Sequence, residues 1–372
     1  MKYFVLAGEA SGDLHGSFLV EQLKKVDENS EFEGWGGDLL AKQGVKIHKH
    51  ISELAFMGFV EVVQNLSTIK NNFKLCKKQI EDYNPDVVIY VDYPGFNLRM
   101  AKWVKSKGYK SLYFISPNVW AWKAKRVYKI RDYTDMMYTI LPFEKEFYKS
   151  YNIEVEYFGH PLVDAVDRYE KSEFKEFCKN NNLSGKPIVA LMAGSRKQEI
   201  RHMLPIMAEI AEEFTEYEFV ITGAPAIDEE FYKEFIENKP VKLLFNKTYE
   251  ILSHSVAGLI TSGTATLEAA LFGLPQVVCY KANSVSVAIA RFVANVKYIS
   301  LVNLILDKPA VVELIQKDLN KTRLKKELLN ILPNGARLEE IKENYISLYK
   351  KLDQPGVYKR VAVNMYNRLL NE

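Results

Sequence analysis

Residues 2–26, KYFVLAGEASGDLHGSFLVEQLKKV, carry the repeating unit of the fold. KYFVLA is a short apolar run and reads as a buried strand, while SFLVEQLKKV places apolar residues at helical spacing. The turn between them, AGEASGDLHG (7–16), is glycine-rich, and such turns often hold phosphates. Here the spacing argues otherwise. A dinucleotide fingerprint needs G-x-G-x-x-G, whereas Gly8, Gly12 and Gly16 recur every fourth residue; a P-loop needs a lysine where Asp13 follows Gly12. Glu9 and Asp13 would also repel a pyrophosphate. The turn still sets backbone N–H groups and a helix N-terminus at a sheet end. Alternatively it is a tight turn capped by Asp13, with His15 on the surface.

The same unit repeats along the chain. DVVIYVD (86–92), KSLYFIS (110–116) and MMYTIL (136–141) read as strands, with helical patterns such as NLRMAKWVKSKG and ELAFMGFVEVVQNLSTIKNNFKLCKKQIEDY (53–83) between strand candidates. After GHPLVDAVDRYEK (159–171) the pattern restarts with PIVALMAG, YEFVIT, KLLFN, AGLITS and PQVVCY as strands. From Val311 onward it reads as helical, broken by Pro355 and Gly356 in QPGVYKR. Alternation of this kind predicts parallel sheets with helices on both faces. The expected architecture is α/β: two Rossmann-like, doubly wound domains facing across a cleft, over 1–163 and 164–350, with a helical segment 351–372. In such sheets ligands bind beyond the C-terminal strand ends.

Composition narrows the function. The 372 residues are 48% hydrophobic and 26% charged, a globular composition. A net charge of +3 does not indicate wholesale nucleic-acid binding. Cys76, Cys178 and Cys279 are scattered, with no CxxC, so neither a disulfide frame nor a zinc site is indicated and a reducing cytoplasm fits. There is no D-x-D or HExxH motif and no clustered His/Cys, so no metal and no cofactor is expected. No signal peptide or membrane-spanning run is read.

The polar turns at strand ends carry the chemistry. In VDYPGFN (91–97), Asp92 ends a strand and Pro94 and Gly95 are expected to turn the chain; an acid there is placed as a general base, or is a cap or turn former. SPNVWAWKAKR (116–126) sets Trp120 and Trp122 beside Lys123, Lys125 and Arg126, suited to a sugar or anionic amphiphile, or to packing. In MAGSRKQEI (192–200), Gly194 and Ser195 offer N–H groups and Arg196 a charge for a diphosphate. In ITSGTATLEAALFGLPQVV (260–278), Ser262, Gly263 and Thr264 open a helix whose N-terminus suits a leaving diphosphate. Glu268, one turn on, suits ribose hydroxyls.

AGEASGDLHG, FMGFVEV, DYPGFN, SPNVWAWK, FEKEFY, GHPLVD, GSRKQEI and SGTATLEAAL occur in this order, and together the chain resembles the lipid-A-disaccharide synthase family of GT-B glycosyltransferases over about residues 1–305. The resemblance implies transfer of 2,3-diacylglucosamine from its UDP donor to 2,3-diacylglucosamine 1-phosphate. The products are the β-1,6 disaccharide of lipid A, used for the lipopolysaccharide of the Gram-negative outer membrane, and UDP. Configuration inverts, so one base suffices, and the family's essential aspartate falls on Asp92. UDP is then expected on Gly194, Ser195, Arg196, Ser262, Gly263, Thr264, Glu268 and Asn303. The acceptor is expected on Gly8, Glu9, Ser11, Gly12, Asp13, His15, Asn118 and Trp120. The family's SLPN reads SLVN here, with Asn303 kept and Val302 for proline, and LPGSR reads MAGSR. In some members the C-terminal segment is exchanged between subunits, which leaves open a homodimer. Phe56, Met57, Phe59, Val60, Val63 and Leu66, followed by Lys70, Lys74, Lys77 and Lys78, form an apolar surface beside cations. That suits peripheral contact with lipid on the cytoplasmic face of the inner membrane, or a core helix. Two other readings stay open: a GT-B enzyme of the UDP-N-acetylglucosamine 2-epimerase kind, and a non-catalytic nucleotide-sugar-binding protein at the membrane.

Overall fold

The computed structural model describes residues 1–54, 66–121, 124–282 and 297–371. Internal contacts group Met1–Asp164 with Gln354–Glu372 in one unit and Ala165–Asp353 in another.

The first unit holds a seven-stranded parallel sheet of β1 (Lys2–Ala7), β2 (Glu31–Gly36), β3 (Lys46–His50), β4 (Val87–Val91), β5 (Lys110–Phe114), β6 (Met136–Thr139) and β7 (Glu156–Tyr157). Their spatial order is β3-β2-β1-β4-β5-β6-β7. The central strands are apolar on both faces because helices cover both. Along β1, Tyr3, Val5 and Ala7 pack with Leu19, Val20 and Leu23 of helix Ala10–Val26 and with Val361, Ala362 and Met365 of helix Val357–Asn371. Phe4 and Leu6 pack in the opposite layer, with Cys76 and Ile80 of helix Leu66–Tyr83 and Met100, Ala101 and Val104 of helix Pro94–Ser106. The C-terminal helix is fastened by Asp164, whose carboxylate accepts N–H bonds from Gly356, Val357 and Tyr358 at 2.6, 3.1 and 3.3 Å. A carboxylate there meets free N–H groups and the positive end of the helix dipole.

The second unit holds a six-stranded parallel sheet of β8 (Ile188–Met192), β9 (Glu218–Gly223), β10 (Val241–Phe245), β11 (Ser255–Thr261), β12 (Gln276–Tyr280) and β13 (Val312–Ile315), in the order β10-β9-β8-β11-β12-β13. The helical reading from Val311 is corrected at its start. Val312–Ile315 is a strand, paired with β12 from Val277↔Val312 to Tyr280↔Ile315. Its neighbours supply what its own four residues could not signal: Leu314 is fully buried, and the backbone of β12 offers the ladder.

Each sheet reverses its strand order once, between β1 and β4 and between β8 and β11. At such a switch point the two connections leave in opposite directions and open a crevice beyond the strand ends.

Candidate active site

Gly8 and Asp92 follow the two strands that flank the first switch point. Asp92 and Tyr93 both adopt left-handed backbone, with φ of 46° and 51°, which costs about 1–3 kcal/mol at each. This corrects the expectation that Pro94 and Gly95 make the turn. Pro94 instead begins helix Pro94–Ser106, where its missing N–H has no helical partner to lose. Three bonds hold the strained pair. The Asp92 N–H donates to the Phe114 carbonyl at 3.1 Å, and the Asp92 carbonyl accepts from the Tyr113 hydroxyl at 2.6 Å and Asn97 Nδ2 at 2.8 Å. Asn97 also donates to the Leu6 carbonyl, tying this turn to β1. The side chain of Asp92 is half-buried. Burial pushes its carboxyl up to about 6, the charge of Glu9 pushes the same way, and the Tyr93 N–H offsets part of this. A carboxylate that ionises just below neutrality suits a general base.

The loop 7–16 does less toward ligand than its composition suggests. A Cβ on Gly8 would lie 2.3 Å from the Tyr93 ring, and one on Gly12 would lie 3.4 Å from the Val91 carbonyl. One on Gly16 would lie 3.4 Å from Leu40. The close approach these glycines permit is internal. Asp13 does not cap its own helix, which Glu9 begins. It is 3% exposed and accepts from the N–H groups of Gly37, Leu39 and Leu40 at 2.7, 3.0 and 3.1 Å, capping helix Asp38–Lys42. Asp13, expected at the acceptor, thus has three of its acceptor positions taken by backbone donors. His15 Nδ1 lies 2.7 Å from the Tyr358 hydroxyl, and burial lowers the ring to about 4, so it is neutral and a weaker base than the Asp92 carboxylate. Glu9 and Ser11 are exposed at the mouth of the loop. Asn118 is exposed; Trp120 packs edge-on against Phe143 at 4.9 Å, and its indole N–H finds no acceptor among the described residues. Trp122 and Lys123, like Phe56, Met57, Phe59, Val60 and Val63, lie outside the described residues; Leu66 begins helix Leu66–Tyr83.

In the second unit, Gly194–Arg196 follow β8 and Ser262–Thr264 follow β11, so both turns lie at that sheet's switch point. Gly194 is left-handed, with φ 115°, and a Cβ there would meet Glu199 at 2.5 Å. Sequence reasoning missed Glu199. Its carboxylate accepts from the N–H groups of Ser195 and Arg196 at 3.0 and 3.3 Å and pairs with the Arg196 guanidinium at 3.3 Å. The donors expected to meet a diphosphate thus already face an anion. Gly263 (φ 126°) and Thr264 are exposed at the start of helix Thr264–Leu271, and Ser262 donates its hydroxyl to the Ile299 carbonyl at 2.7 Å. Glu268 is half-buried, and burial raises its carboxyl while the Tyr249 hydroxyl, 3.4 Å from Oε1, lowers it. Asn303, expected to meet UDP, is bonded within its own unit. It is 1% exposed, its Nδ2 donates to the Val311 carbonyl and to Glu313, and its Oδ1 accepts from the Val311 N–H, each at 2.9 Å. Glu313, also unread from sequence, accepts from the N–H groups of Ile299 and Ser300 and so fixes the segment beside Ser262. Among the described residues no cluster of three or more potential ligands could hold a metal.

Two parallel α/β sheets, each with polar turns at its switch point, make the architecture of the GT-B class. The model of the family described as lipid-A-disaccharide synthetase matches residues 3–365. The lipid-A-disaccharide synthase of Syntrophus aciditrophicus is 37% identical over 368 residues, covering 96% of this chain and 95% of its own. That of Coxiella burnetii is 33% identical over 372 residues, covering 99% and 98%. Among solved structures, UDP-GlcNAc 2-epimerase from Neisseria meningitidis bound to UDP-GlcNAc aligns with a TM-score of 0.64 at 14% identity, over all of both chains. A kitacinnamycin glycotransferase aligns at 0.67 with 12% identity, over 99% of both. At those identities the likeness is one of fold. The chain belongs to the lipid-A-disaccharide synthase family and is a glycosyltransferase; the epimerase reading is not favoured.

Proposed function

We propose that the chain transfers 2,3-diacylglucosamine from its UDP donor to the 6-hydroxyl of 2,3-diacylglucosamine 1-phosphate, giving the β-1,6 disaccharide 1-phosphate and UDP. Asp92 takes the hydroxyl proton as that oxygen bonds to the donor's anomeric carbon. The bond from that carbon to the diphosphate breaks on the opposite side, and its electron pair leaves with UDP, so configuration inverts. The observation that carries this reading is the match to this family over residues 3–365, with Asp92 half-buried on a strained turn at a switch point in support. Glu9 raises the basicity of Asp92 through its charge.

The second unit holds the donor in this reading. The exposed start of helix Thr264–Leu271 and the Arg196 guanidinium meet the diphosphate, and Glu268 meets the ribose. Glu199 yields the Ser195 and Arg196 N–H groups if the diphosphate takes them. Acyl chains and the lysines Lys70, Lys74, Lys77 and Lys78 favour peripheral association with an anionic lipid surface. No helix among the described residues is long and apolar enough to cross a membrane.

Incubating the protein with both acylated substrates and following disaccharide and UDP by mass spectrometry tests this reading. Stoichiometric appearance of both is expected; UDP without disaccharide, or neither product, would overturn it.

A further inference from the structure

Glu268 is the side chain on which the proposed ribose contact depends, and it does not stand alone. Its Oε1 lies 3.4 Å from the hydroxyl of Tyr249, on helix Thr248–His254, which connects β10 to β11. Glu268 itself lies on the helix that follows β11, so the contact joins two separate elements.

The position of that hydroxyl oxygen is set by packing. The Tyr249 ring meets Tyr169 edge-on at 5.8 Å and Phe272 at 5.0 Å, and Tyr169 meets Phe272 edge-on at 5.5 Å. With Tyr169 and Phe272 packed against it, the ring is held in place, and with it the position of the phenol oxygen. The Tyr169 hydroxyl is engaged elsewhere, 3.3 Å from Ser253 Oγ. Glu250, the carboxylate on the Tyr249 helix, is paired with Lys247 at 2.9 Å. Among the described residues Tyr249 is the titratable group that acts on Glu268. Burial and the Glu268 charge keep the phenol protonated, so it acts as a donor. A carboxylate has about four acceptor positions. One bond from Tyr249 engages Oε1 and leaves Oε2 for a ribose hydroxyl.

We propose that Tyr249 is a positioning residue for the nucleotide: it holds the Glu268 carboxylate oriented to receive the ribose. This rests on the reading of Glu268 as the ribose ligand, and the experiment separates the two. UDP is titrated by calorimetry into the full-length protein and into the Tyr249→Phe, Glu268→Gln and doubly substituted variants across a range of pH. Tyr249→Phe keeps the ring and its packing. Without the donor the Glu268 carboxyl rises further, so its ionised form is lost at higher pH. UDP affinity is expected to fall by about tenfold toward acid pH, the effect of one hydrogen bond to a carboxylate, and by less toward alkaline pH. Glu268→Gln is expected to weaken UDP at neutral and alkaline pH, with little dependence on pH, and adding Tyr249→Phe to it is expected to change nothing. A Tyr249→Phe loss that persists in the Glu268→Gln background would mean packing alone and overturn the proposal. Weakening by Glu268→Gln with none by Tyr249→Phe would overturn the proposal and leave the ribose reading intact. Full UDP affinity in Glu268→Gln would overturn both.

Discussion

Replacing Asp92 by asparagine should make the protein more stable and nearly inactive. The carboxyl is moved from its ordinary 3.8 to about 6, mainly by burial. At about 1.4 kcal/mol per pH unit, holding it ionised costs the fold roughly 3 kcal/mol at neutral pH, and less after allowance for its partial exposure, so about 1–3 kcal/mol. The sign follows from a folded-state value above the unfolded one. The destabilisation is complete above about pH 6, shrinks as pH falls through that value, and is gone below 3.8. Asparagine has the same shape, accepts the left-handed backbone that Asp92 adopts, and leaves the bonds to the Asp92 backbone in place. The melting temperature of Asp92→Asn should therefore rise by roughly 2–4 °C per kcal/mol at neutral and alkaline pH and match wild type in acid. Disaccharide formation should fall by about 10²–10⁴, the contribution of a general base. Calorimetry at two pH values and a product assay measure both. A variant that retains full activity, or that is less stable at alkaline pH, refutes the reasoning.

Two further predictions concern residues whose structural work the sequence disguised. Asp13→Ala should destabilise the protein by about 2–4 kcal/mol in urea unfolding, because three backbone donors lose a buried carboxylate. Asn303→Ala should cost about 2 kcal/mol by the same measurement, while UDP affinity of the folded variant stays at the wild-type value, since the amide is engaged with Val311 and Glu313.

The sheets were legible where strands are buried on both faces. KYFVLA, DVVIYVD, PIVALMAG, AGLITS and PQVVCY are apolar runs because helices cover each side of a parallel sheet. Of the four edge strands only β10 was read, from KLLFN; KIHKH (β3) faces partly to solvent and reads as polar, β7 has two residues, and β13 depends on β12 for its pairing. In the candidate site, the placement of Asp92 and the SGT turn at strand ends was legible, because β4 and β11 are apolar runs that stop just before them. Their supports were not, because each comes from another element: Tyr113 of β5 under Asp92, Tyr249 against Glu268, Glu313 of β13 behind Ser300. Asp13 and Asn303 illustrate the converse. Both stand in motifs rich in functional residues, and only burial and bonding distinguish a side chain that shapes the loop from one that faces the ligand.

The most direct test of Asp92 as the base is the pH dependence of kcat/KM for the acceptor, in wild type and in Glu9→Gln. Activity should fall as pH drops through about 6, where Asp92 protonates. Removing the Glu9 charge should move that limb to lower pH, because the charge helps hold the Asp92 carboxyl up. A wild-type profile without an acid limb near that value, or a limb that Glu9→Gln leaves in place or moves upward, would contradict the account.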